Sequence, residues 1–209
     1  MCYDPTDAAR DEMYDQIGRE LYPEHTVQAI GEFTADRLRS FYVANPQVMR
    51  PAVDAIQEGK RLAQGGHNSA AVVFFVTAIE ILLKATLLKP VVHGLVLSEG
   101  LAGIIVEKAL GQPGFDRYSS LLAQLFSELA GMDIQAIKRK ETNDKLLAEC
   151  TALQKLRNQI IHQGATCKPE LSSHGLAVSV AVYELVVQPM LSKLGLHVIE
   201  HGEIQPFGG

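Results

Sequence analysis

Cysteine is scarce in this chain: three residues, Cys2, Cys150 and Cys167, among 209. None stands in a Cys-x-x-Cys pair, and an odd number leaves one thiol over in any disulfide scheme. A disulfide framework is therefore not expected, and the usage fits a reducing compartment. Glycine (17) and proline (9) are not in excess, and neither repeats nor low-complexity stretches occur, which excludes collagen-like, mucin-like, disordered and solenoid architectures. Positive charge is also short. A net charge of -5 argues against coating nucleic acid by charge alone, which needs many Lys and Arg to displace counterions. The charge-free apolar run in the middle, Ser69 to Ile79, falls short of the ~20 residues that span a bilayer. The N-terminal Met-Cys-Tyr-Asp-Pro is acidic where an export signal would be basic and then apolar, so a soluble cytoplasmic protein is expected. The Gly-x-Ser-x-Gly elbow, a dinucleotide-binding glycine fingerprint and a Walker-type lysine are all missing.

What remains is an ordinary globular composition, 47% hydrophobic and 21% charged, able to bury a sizeable core. Helical periodicity dominates, with no sustained apolar/polar alternation, and predicts an all-α fold. An acidic segment from about Thr6 to Leu21 ends near Pro23, and a second runs from Thr26 to Val43 before Asn45-Pro46 stops it. A third helix spans Val48 to Leu62. The fourth, Asn68 to Leu88, is apolar on nearly every side and belongs in the middle of a bundle; Asn68 reads as its cap and Lys89-Pro90 as its end. Val91 to Leu110 predicts a loop and one short helix, and Tyr118 to Ala130 an amphipathic helix. Leu146, Leu147, Cys150, Leu153, Leu156 and Ile160 mark a long helix from about Glu141 to Gln163, with Gly164 as its C-cap. Pro169 opens a last helix to Leu194, with a kink expected at Pro189. The organisation expected is an acidic helical extension over 1–45, a bundle over 46–196 and an irregular tail over 197–209.

Charge is unevenly spread. Met1 to Asp36 holds nine acids and two basic residues, whereas Lys138 to Lys168 holds seven basic residues and three acids. The basic segment contains Arg157-Asn158-Gln159-Ile160-Ile161-His162. At about 100° per residue, Asn158 and His162 lie ~40° apart around the helix axis, and Arg157 lies ~140° from His162. Asn158 can orient the imidazole; Arg157 joins it only if the helix end unwinds before Gly164 or if two chains build one cleft.

These residues resemble the signature of the HEPN domains: Arg, four to six residues, then His, often with a polar residue directly after the Arg. Glu80-Ile81-Leu82-Leu83-Lys84 fits the Glu-x-x-x-Lys that many members carry on an earlier helix. The resemblance covers roughly Val48 to Leu194. It implies a HEPN-like antiparallel helical bundle and metal-independent RNA cleavage without cofactor, by two motifs meeting across a homodimer. A toxin or antiviral effector is the biological class implied, with RNA as substrate and a regulatory or antitoxin protein as a further partner. In this reading His162 moves the proton of the attacking 2'-hydroxyl or of the leaving oxygen, Arg157 holds the phosphate, and Asn158 positions His162. Glu80 and Lys84 support them. The family toxins paired with a nucleotidyltransferase carry Tyr two places after the His; here Gly164 stands there, so control through that Tyr is not expected.

The same residues admit structural readings. Arg157 and His162 near a helix C-terminus suit the dipole and the cap carbonyls, and Glu80 with Lys84 one turn on makes a simple ion pair. A non-catalytic helical module that binds RNA or a protein through the same groove is the alternative function. His197-Val198-Ile199-Glu200-His201 matches the H-x-x-E-H pattern of inverted zinc peptidases, but Gly202 cuts it short and no third ligand follows, so no metal site is expected. His67, between Gly65-Gly66 and Asn68, reads as a loop residue rather than part of a phosphate-binding loop, and His93 and His174 have no ligand-spaced partners.

Overall fold

The computed structural model describes residues 5–96, 99–107, 122–123, 126–127 and 131–208. The chain is mostly helical, as its periodicity predicts. Helix α1 (Pro5–Ala44) leads to α2 (Arg50–Gln64) and α3 (Asn68–Ile81), which runs on through a π segment (Leu82–Leu88) into α4 (Lys89–Leu95). Then come α5 (Glu99–Ile105), α6 (Leu146–Gln163) and α7 (Pro169–Val182), the last continuing through a second π segment (Tyr183–Val187) into α8 (Gln188–Lys193). The expected helix over Tyr118 to Ala130 lies outside the described residues, except that 122–123 and 126–127 are helical, with Leu122 and Phe126 in the core.

Helix α3 packs among α2, α6 and α7. Its Phe75 fits between two helix glycines: a methyl at Gly59 would come within 2.6 Å of the ring, and one at Gly175 within 3.2 Å. Those glycines, costly inside helices, are the condition for α2 and α7 to close on α3. One core cluster reaches from Leu38 and Tyr42 of α1 to Leu196 and Ile204 near the C-terminus, so the last turns of the N-terminal extension and the tail both pack into the bundle. Asn68–Gly94 and Pro169–Lys193 are long and apolar enough to cross a membrane by length and composition, more than the run Ser69 to Ile79 suggests. Here they are the core helices of the bundle, and 61% and 50% of their most apolar windows are buried inside the chain.

Four sequence expectations change. The two N-terminal segments form one helix through Pro23. A proline inside a helix removes a hydrogen bond and bends the rod, and the helix-favouring Arg19, Glu20 and Leu21 before it and Glu24, Gln28 and Ala29 after it carry the helix across. Helix α6 begins at Leu146 rather than Glu141, because Thr142-Asn143-Asp144 turns the chain; Lys138 bridges Lys145, and Leu146 N–H donates to the Ile137 carbonyl at 2.9 Å. Asn68 is the first helical residue and not the cap, its side chain accepting from Ser172 Oγ at 2.8 Å. The tail is a hairpin: β1 (Leu196–Val198) pairs antiparallel with β2 (Ile204–Pro206) around a 3-10 turn at Glu200–Gly202. Ile204 N–H donates to the Pro46 carbonyl at 2.8 Å and ties this hairpin to the bundle.

The apolar helix also fails to stop at Lys89-Pro90. Pro90 has no N–H for the carbonyl of Thr86, four residues back, and its ring would clash with that carbonyl in an unbroken α-helix. The π segment immediately before it widens the turn, and the Tyr42 hydroxyl donates to the Thr86 carbonyl at 2.6 Å in place of the missing amide. Pro189, where a kink is expected, likewise comes two residues after the end of a π segment, and the two π segments pack against each other. Tyr42 is fully buried, and burial holds its phenol far above the ordinary value, protonated and donating. Tyr42→Phe removes this buried hydrogen bond and is expected to lower stability by about 1 kcal/mol, read as a shift of the urea unfolding midpoint. An unchanged midpoint would show that the π segment alone accommodates Pro90.

Candidate functional site

Helix α6 stays regular to Gln163. Gly164 closes it in the left-handed conformation (φ 67°, ψ 23°), its N–H donating to the Ile160 carbonyl at 3.2 Å while Ala165 N–H reaches Gln159 at 3.3 Å. A residue with a Cβ is strained at that φ, which is why glycine ends the helix there. The helix does not unwind before Gly164, so the RNQIIH stretch keeps its helical spread. Asn158 and His162 are exposed; Arg157, ~140° from His162, is half-buried. Arg157 Nη1 donates to Asn158 Oδ1 at 3.3 Å, and its buried Nε has no hydrogen-bond partner. Asn158 and His162 share a face without a hydrogen bond between them.

Glu80, Lys84 and Arg157 lie in one electrostatic neighbourhood between α3 and α6. These helices run antiparallel: Glu80 Oε1 accepts from Gln154 Nε2 at 3.0 Å, and eleven residues back along α3 Ser69 Oγ accepts from Cys167 N–H at 2.8 Å. Lys84, in the first π segment, has its pKa lowered by burial first; Glu80 opposes the shift and the cationic Arg157 adds to it. The structure thus brings together Glu80, Lys84 and Arg157, together with Gln154, which the sequence reading missed; Asn158 joins them only through its hydrogen bond from Arg157, and His162 lies ~140° from Arg157 around α6. Gln154 is buried, and its signal is the need of Glu80 for a donor.

A second polar cluster was also missed. Glu149 interrupts the apolar stripe one turn before Leu153 and is buried, a position where a carboxylate implies a partner. Arg139 supplies it in a bidentate contact, Nε to Oε2 at 2.9 Å and Nη2 to Oε1 at 2.5 Å, with side-chain exposures of only 9% and 5%. This hydrogen bond, ahead of any charge effect, raises the guanidinium pKa further. His174 lies at the edge of this pair: its Nδ1 is 3.4 Å from Arg139 Nη2 and its Nε2 4.0 Å from Glu149 Oε1. Burial, and then Glu149, push the neighbouring Cys150 thiol up to about 12, so it stays protonated near neutral pH.

The histidines of the tail do not form a helical zinc pair. His197 lies on β1 and stacks on Phe207 (5.1 Å between centroids), while His201 sits in the 3-10 turn with φ 55°. Among the described residues no three His, Cys, Asp or Glu cluster in a metal-binding arrangement.

Glu149→Ala is expected to lower stability by about 3–5 kcal/mol in urea unfolding, because it leaves the Arg139 guanidinium buried and unpaired. The double replacement Arg139→Met with Glu149→Leu is expected to recover most of that loss, since it removes both charges from the interior. Equal losses in the single and double variants would contradict this account.

Compared with protein-family models, with curated proteins and with solved structures, the chain matches none, so the likeness to HEPN domains rests on the RNQIIH and Glu80-x-x-x-Lys84 residues themselves.

Proposed function

We propose that this chain is a metal-independent endoribonuclease of the HEPN kind, acting on RNA in the cytoplasm as a homodimer, in the manner of a toxin or antiviral effector. The observation that carries the reading is the end of α6, where an exposed His162 and a half-buried Arg157 share one short motif beside Glu80 and Lys84. An imidazole takes or gives a proton near neutral pH, and the planar guanidinium suits a phosphodiester through paired donors. Both cations near Glu80 favour an anionic ligand, and Asn158, held by Arg157, keeps its amide N–H free to meet substrate or imidazole. Because ~140° separates Arg157 from His162 on a regular helix, a second copy would supply the imidazole that completes each site. A regulatory protein could cover the basic segment from Lys138 to Lys168.

A second reading has one observation in its favour. Within one chain Arg157 turns to Asn158 rather than to His162, which suits a non-catalytic module that grips RNA or a protein partner.

Purified protein incubated with total RNA in EDTA is expected to cleave it, leaving 2',3'-cyclic phosphate and 5'-hydroxyl ends, with no cleavage where the scissile ribose is deoxyribose. His162→Ala and Arg157→Ala are each expected to slow cleavage by about 100-fold or more while helix content and melting temperature hold. Sedimentation is expected to show a dimer. An active monomer, or a wild-type rate from His162→Ala, rules out the two-chain mechanism; an inert wild type whose variants still lose a binding partner favours the second reading.

A further inference from the structure

An apolar cavity of about 330 Å³ opens on the far side of the core helices, between α2, the two π segments and the C-terminal hairpin. Val53, Ile56, Leu82, Val180, Val198 and Ile199 form its walls. The volume lies at the lower end of the roughly 300–1,000 Å³ typical of small-molecule sites.

Three features set this cavity apart from an accidental gap. Its polar lining residues are few: Gln57, Lys60 and His201, which are exposed, and the half-buried Tyr183. None of the four has a hydrogen-bond or ion-pair partner among the described residues. In a chain of net charge -5, no acidic side chain lines the cavity. Its lining takes one residue from each π segment, Leu82 and Tyr183, and such segments recur at functional sites.

The roof is strained as well. His201 is the one non-glycine residue of positive φ among the described residues (55°), and the strain persists because the next residue is locked down: a methyl at Gly202 would lie 2.7 Å from Val53. The turn is thereby pressed onto α2 where Val53, Ile56, Gln57 and Lys60 share one helix face.

We propose that this cavity binds a small amphipathic carboxylate, its hydrocarbon body among the apolar walls and its carboxylate at the Lys60 ammonium. Gln57, Tyr183 and His201, which line the same cavity, carry the further N–H and O–H donors. Burial, and then the Glu184 carboxylate, raise the Tyr183 phenol above its ordinary value, so it stays a donor across the neutral range. The site is independent of the RNQIIH motif, and its failure would leave the ribonuclease reading untouched.

Isothermal titration of the full chain with decanoate and with decanol, which has the same body without the charge, tests the proposal. One-to-one binding of decanoate is expected, with decanol at least about 10-fold weaker. Lys60→Met, at an exposed position, should weaken decanoate by a similar factor and leave decanol unchanged. Ile199→Trp, at a wall residue that is itself partly exposed, should fill the cavity and abolish both, with the melting temperature of the unliganded protein as a check on folding. No decanoate binding by the wild type, equal affinity for decanol, equal affinity of Lys60→Met, or undiminished binding by Ile199→Trp would each overturn the assignment.

Discussion

A helix that is apolar on nearly every side and also carries Glu80 and Lys84 can exist in water only if other elements cover it. That requirement on α3 and its continuation to Leu95 organises the molecule. Helices α2 and α7 come close enough because Gly59 and Gly175 leave room for the Phe75 ring. Helix α6 covers the side where the polar residues lie. The end of α1 meets the far stretch, where the Tyr42 hydroxyl satisfies the carbonyl that Pro90 orphans. Remove any one of these and a different part of the same hydrophobic surface returns to solvent.

The polar groups follow from the same burial. A carboxylate near an apolar core is tolerated only with donors, and the two on this side of the bundle find them in different ways. Glu149 takes a guanidinium and remains a closed ion pair with His174 at its edge. Glu80 takes an uncharged amide, Gln154, so its negative charge is not cancelled by that contact and still acts on Lys84. The first arrangement is self-contained and suits a structural role. The second leaves the charge of Glu80 acting on Lys84 beside Arg157.

Much of the architecture was legible because it rests on periodicity and punctuation. The apolar run from Asn68 predicted the central helix, Gly164 its cap on α6, and Pro169 the start of α7. What was not legible depended on partners far away in the sequence. Nothing near Pro90 announces that Tyr42, forty-eight positions earlier, donates to Thr86 and lets the helix continue. His174 looked isolated because Arg139 and Glu149 meet it only through the packing of α6 on α7. The tail was read as irregular because strands of three residues are too short to show alternation, and the pairing of Leu196 to Val198 with Ile204 to Pro206 emerges only when both strands pack against the bundle. Of the candidate site, Glu80, Lys84 and Arg157 do meet, and Asn158 joins them only through Arg157; Gln154 went unseen because a glutamine in a helix carries no signal until its neighbour is known.

The position of His162 follows from helical geometry. Five residues along a regular α-helix turn ~500°, which leaves two side chains ~140° apart whatever their chemistry. Gly164 makes that spread permanent: it ends the helix after the motif instead of within it, so all six residues from Arg157 to His162 keep helical geometry. Moving the stop signal two or three residues earlier would let the chain fold His162 back toward Arg157 in a single copy. With the stop where it is, a fork of donors half-buried against α3 and an imidazole in solvent stay apart within one copy, which is why the proposed mechanism takes the imidazole from a second copy. The placement of one glycine therefore couples the chemistry proposed for the motif to assembly.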